Sequence, residues 1–186
     1  MGAAAPDLIT PVIGFRQFRV LGSELWSTQA DYHWSAGVHT AVCLAPIPHD
    51  DPVPAKGCTC GCYARYTPPP RTSSALTADL VAGAVALWGR IELHAHGMRA
   101  EHARVVVLAL PFSRWGKRRR TIAAAEAVGI AAVPAGRLVA ATRELGAIIP
   151  QEMRPPDVMP NKRAAPGEPA PARLNAVADG LVQRER

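Results

Sequence analysis

From residue 85 to residue 93 the odd positions read Val85, Leu87, Gly89, Ile91 and Leu93. The even positions read Ala86, Trp88, Arg90 and Glu92, followed by His94. Alternation with period two places one set of side chains on a core and the other toward solvent, which identifies a strand. Residues 105–110 form a second β-rich run, and Gly97 in the connection between the two is suited to a turn. Together they predict a long antiparallel hairpin over about 82–110.

The remaining segments arrange themselves around that hairpin. Residues 12–20 are rich in strand formers, 21–24 carry a turn signal, and Leu25-Trp26 opens a return strand. One further strand is expected near 38–44. Prolines at 46, 48, 52 and 54 remove backbone donors and fix φ, so 45–57 should be an irregular loop. A second loop is expected over 68–74, with a helical turn over 77–80. Pro111 ends the hairpin. The run 114–120 reads as a basic loop, followed by an Ala-rich helix over about 121–128, a strand at 130–133 and a second helix over 136–146. The fold class is α+β: an antiparallel sheet, two short C-terminal helices and an irregular Cys-containing loop. A single domain should span about 10–149. From 150 to 186 recurring prolines and few large apolar residues predict a flexible tail rich in Pro, Ala and Arg, with a weak helix over 174–182 that forms on a partner.

Composition narrows the setting. Hydrophobic residues make up 48% of the chain but aromatics only 5%, so small side chains must build much of the core. There is no charge-free apolar run of 18 residues, which excludes a membrane-spanning helix as an expectation. The N-terminus has neither the basic nor the apolar region of a signal peptide, so a cytoplasmic location is expected. The net charge of +6 is unevenly placed. Residues 1–110 hold eight Lys/Arg against eight Asp/Glu, and residues 111–186 hold thirteen against seven. Any polyanion contact should therefore involve the C-terminal third.

In a reducing compartment cysteines read first as metal ligands or buried thiols. Three of the four lie within five residues, Cys58, Cys60 and Cys62, and Cys43 stands fifteen positions upstream. An extended strand would aim the three alternate cysteines to one side, and Gly61 could converge them in a turn. Thiolates are strong ligands for zinc, which takes four tetrahedral donors in a structural site. The expected set is Cys43, Cys58, Cys60 and Cys62, with His39, His94 and His96 as rivals for the fourth position. Buried free thiols and redox chemistry are the alternatives. A structural zinc would close the proline-rich loop.

Two other groups of residues carry possible chemistry. His94, His96, Arg99, Glu101 and His102 fall within nine residues. In an enzyme, His94 or Glu101 would move a proton while Arg99 clamps an anionic substrate. The plainer reading is a solvated turn in which Arg99 pairs with Glu101. No nucleophile triad, P-loop or dinucleotide fingerprint supports the enzyme. The second group, Arg114, Trp115, Lys117, Arg118, Arg119 and Arg120, could neutralise phosphates and stack on a base. Its plainer reading is a solvated loop with Trp115 on the core. Pro134 excludes a standard helix-turn-helix reader, because it would fall within the recognition helix.

The stretches 58–64 (CTCGCYA) and 87–101 (LWGRIELHAHGMRAE) resemble a group of actinobacterial and actinophage proteins. That group is similar in carrying C-x-C-G-x-[YH]-A followed by W-G-x-V-x-x-H-x-x-G-x-R-A-E. The resemblance spans about residues 12–145 and implies no activity. It implies that Cys43, Cys58 and Cys60 act as one set and His94, Arg99 and Glu101 as another. Cys62 departs from the group's usual apolar residue. The leading expectation is a cytoplasmic, zinc-stabilised binding or regulatory module that contacts nucleic acid through 114–120. The competing expectations are the enzyme and a phage or host protein-interaction factor without chemistry.

Overall fold

The computed structural model describes residues 10–45, 48–69, 79–112 and 115–157. The expected helical turn at 77–80 and the helix at 174–182 lie mostly or wholly outside them, although Leu80 is already strand. The fold is α+β, with a mixed, mostly antiparallel sheet. Its strands are β1 (Val12–Leu21), β2 (Glu24–Ser27), β3 (His33–Trp34), β4 (His39–Thr40), β5 (Cys62–Arg65), β6 (Leu80–His94), β7 (Gly97–Leu110) and β8 (Ala131–Pro134). Helix α1 (Trp115–Ala127) connects β7 to β8, which runs parallel to β7, and α2 (Leu138–Ala141) follows.

The β6–β7 hairpin is the expected one, but its turn is tighter. His94 pairs with Gly97, leaving only Ala95 and His96 as the loop. Arg99, Glu101 and His102 therefore stand on strand β7 and not in a turn. Gly89, at φ 75°, sits in a register shift between Trp88 and Ile91. Beyond that shift β6 alternates as its sequence predicts. Before it, residues 83–87 are buried on both faces. One face joins Val85 and Leu87 to Phe18, Met98 and Ala124, and the other joins Ala84 and Ala86 to Ile13, Phe15, Val107 and Leu138.

Pairing among β1, β6, β7 and β5 closes on itself, since β5 bonds to β7 and also meets β1 at Phe15–Arg65. Two glycines make room for β5. A Cβ on Gly14 would lie 2.5 Å from Ala64 Cβ, and one on Gly97 would run into the Ala64 carbonyl, 3.2 Å from Arg65 Cα. Backbone cannot retreat as a flexible side chain can. Gly97→Ala is expected to destabilise the domain by about 1–3 kcal/mol, the usual range for overpacking, as read by urea unfolding.

Three local expectations need correction. The strand near 38–44 reduces to His39–Thr40, and Val42 and Leu44 beyond it are exposed. The basic run is no loop from residue 115 on: α1 begins at Trp115, because Lys, Arg and Ala are good helix formers and no proline interrupts 115–127. The helix expected over 136–146 shrinks to a 3-10 turn, Ala135–Arg137, and four α-helical residues. The chain is pulled away from it by β1. Ile13 donates to the Ala147 carbonyl at 2.7 Å, and Ala147 donates to the Pro11 carbonyl at 2.9 Å. At the described edge of the tail, Arg154 lies over the Tyr66 ring at 4.5 Å and bonds to the Ile149 carbonyl. The rest of the tail, 158–186, lies outside the described residues.

Candidate metal centre

The described residues 48–57 contain no helix or strand, as the prolines require. This loop runs from Cys43 to the start of β5 and folds back on itself. Its return brings Cys43, His49, Cys58 and Cys60 together, with one ligand atom from each and all four within 4.8 Å of one another. The Cys43 and Cys58 sulfurs are 3.7 Å apart, and His49 Nε2 is 3.3 Å from Cys60 Sγ. A tetrahedron with zinc–sulfur bonds of about 2.3 Å has edges of about 3.8 Å, and slightly less where one donor is nitrogen. The spacing therefore fits a tetrahedral metal. Cys60 is buried and the other three are half-buried, and all are free thiols or imidazole. This Cys3His group could bind a metal such as zinc.

His49 is oriented for that role. Its Nδ1 lies 3.1 Å from the Asp51 carbonyl, so Nδ1–H donates there and Nε2 faces the sulfurs. A backbone acceptor on the far nitrogen is the usual support for a ligating histidine. The loop has a second fastening in Arg99, which is 3% exposed. From β7 its guanidinium donates to the carbonyls of Ala55 (3.0 Å), Cys60 (3.1 Å) and Cys58. Its Nε donates to Glu92 Oε2 at 3.0 Å. One planar cation thus holds three backbone acceptors of the metal loop and one carboxylate of β6. The expected pairing of Arg99 with Glu101 does not occur.

Cys62 is not brought to the group. Gly61, at φ 127°, breaks the alternation that would have aligned the cysteines, so Cys60 turns to the loop while Cys62 enters the core. Burial pushes the Cys62 thiol up from its ordinary pKa, against the pull of Arg16. The rival histidines also lie elsewhere. His39 is buried with both ring nitrogens engaged, Nδ1 with Tyr32 Oη and Nε2 with the Ser35 carbonyl, each at 2.9 Å. His94 is half-exposed, 3.7 Å from Glu92, and His96 is exposed beside Asp157 at 3.2 Å. The sequence signal for His49 was its place inside the loop, in a Cys43-x5-His49-x8-Cys58-x-Cys60 pattern.

The proposed His94, Arg99 and Glu101 set does not converge. Glu92 stands between His94 and Arg99, and Glu101 instead accepts from the Arg90 amide at 3.2 Å, with His102 at 3.5 Å. Arg99 spends its donors on the loop. In the basic segment Trp115 is 77% exposed and does not pack on the core, Arg118 and Arg119 are exposed, and Arg120 pairs with Asp79 at 3.0 Å. Arg114 lies outside the described residues. No helix among the described residues is long and apolar enough to cross a membrane. No family model, curated protein or solved structure matches the chain.

Proposed function

We propose that this protein is a zinc-stabilised binding module in which the metal fixes a recognition loop to the sheet. The observation that carries this reading is the four-donor group itself, Cys43, His49, Cys58 and Cys60. Four protein ligands fill a tetrahedral zinc, so no position stays open for substrate, and the metal's role is structural. The fastening of the same loop by Arg99 supports this. Protein purified without added metal is expected to carry about one equivalent of zinc. Less than about 0.2 equivalents would overturn the reading.

A second reading concerns nucleic acid, and a specific observation favours it. Trp115, Arg118 and Arg119 occur at i, i+3 and i+4 of α1, so they share one helix face, and all three are exposed. An indole one helical turn from two guanidiniums suits a single strand, with a base stacked on the ring and phosphates on the cations. Binding of a single-stranded oligonucleotide should weaken with salt, and Arg118→Glu with Arg119→Glu should abolish it. Affinity that survives the double substitution would refute the contact.

A further inference from the structure

Beside the metal loop lies a cavity of about 540 Å³, within the size range of small-molecule sites. Its walls come from β1, β2, residues 29–34, the segment 40–45 and residues 58–63. Arg16 of β1 reaches into it. The guanidinium carbon lies 4.5 Å from the Trp34 ring centroid, and one terminal nitrogen donates to Ser27 Oγ at 3.1 Å. Its Nε is closed off from solvent and has no hydrogen-bond partner. Among the described residues no Asp or Glu lines the cavity, nor does any other Lys or Arg.

The phenol that lines the cavity with this cation, Tyr32, does not neutralise it, because burial pushes its pKa up from the ordinary value. Burial lowers Arg16 itself, to about 10, but leaves it charged. A desolvated cation without a counter-charge is costly unless something pairs with it. The Trp34 Nε1 donor is also buried without a partner. The rest of the lining is largely apolar, including Ala41, Val42 and Leu44, with the last two exposed at the edge.

We propose that this cavity binds a small monocarboxylate with an apolar body, and that Arg16 is the residue that receives the carboxylate. A guanidinium offers paired N–H donors in a planar fork, matching the two oxygens of a carboxylate. A single cation with no second positive group suits one negative charge and not a phosphate dianion. The apolar lining takes the remainder of the ligand. The inference rests on the zinc reading only in that residues 58–62 supply one wall.

The test uses the full chain with its zinc content measured, titrated by calorimetry or NMR with phenylacetate, hexanoate, phenylacetamide and inorganic phosphate. At least one carboxylate should bind with Kd below about 1 mM, and the neutral amide at least about tenfold more weakly, as expected when a charge-assisted hydrogen bond is lost. Arg16→Lys should cost about tenfold or more, because an ammonium lacks the fork. Ala41→Trp, which fills the cavity and leaves Arg16 in place, should cost as much, and it keeps the test open if the first variant does not fold. The proposal fails if neither carboxylate binds the zinc-loaded protein, if the amide or phosphate binds as well as the acids, or if both variants bind as the parent does. Carboxylate binding by protein that holds no zinc would refute the metal reading and leave this one standing.

Discussion

His49→Ala is expected to lose its zinc, whereas Cys62→Ala keeps about one equivalent. The two substitutions separate the tertiary site from the plainest sequence reading, in which the three clustered cysteines and Cys43 form the ligand set. His49 Nε2 is 3.3 Å from the Cys60 sulfur and belongs to the four-atom group, while Cys62 lies in the apolar core. Removing one of four donors opens the coordination sphere to water, and affinity in such sites falls by orders of magnitude. The loss should be visible by metal analysis after dialysis against a weak chelator. Faster proteolysis within 45–57 should accompany it, because the metal free energy is also the ordering free energy of that loop. Cys62→Ala removes a buried sulfur and should reduce stability modestly, by about 1–2 kcal/mol, with the zinc unchanged. Zinc retained by His49→Ala and lost by Cys62→Ala would reverse the assignment.

Arg99→Met should be the most destabilising single substitution outside the metal ligands, at about 3–5 kcal/mol. The loss has two parts. Glu92, the half-buried carboxylate that Arg99 pairs with, is left without its cation. The carbonyls of Ala55, Cys58 and Cys60 lose their donors at the same time. Arg99→Lys should recover only part of the stability, because one ammonium cannot reach three carbonyls and a carboxylate spread across a planar fork. Thermal unfolding of the zinc-loaded proteins checks this, with a shift of about 10 °C or more expected for Arg99→Met. A shift below about 3 °C would show that the metal alone fastens the loop. A double substitution with His49→Ala would measure the coupling, since the two fastenings hold the same backbone and should not act additively.

The parts of this protein that local pattern could specify were legible. Alternation from Val85 to Leu93 required a strand, and the hairpin with β7 is present, because period two is a property of the backbone itself. Prolines between 46 and 54 required irregular chain there. Three of the four members of the metal group, Cys43, Cys58 and Cys60, follow from the scarcity and spacing of cysteine. Helix ends were less legible. Leu138, Val139, Thr142 and Leu145 have helical spacing, yet the helix stops at Ala141, because backbone bonds from β1 capture Ala147.

What the sequence by itself determined is the strand pattern, the loop and most of the thiol donors, since each rests on residue types a few positions apart. Only the tertiary structure decided the rest. It turned Cys60 and Cys62 to opposite sides through the positive φ of Gly61. It folded the loop so that His49 meets sulfurs nine and eleven positions further along the chain. It carried Arg99 from the far side of the hairpin onto the loop carbonyls, forty or so positions away, and placed Arg16 in a chamber that no carboxylate among the described residues lines. Periodicity reports which face a side chain takes on its own element, and carries no information about which distant backbone will lie against that face. Donor sets and buried charges are settled by that second fact.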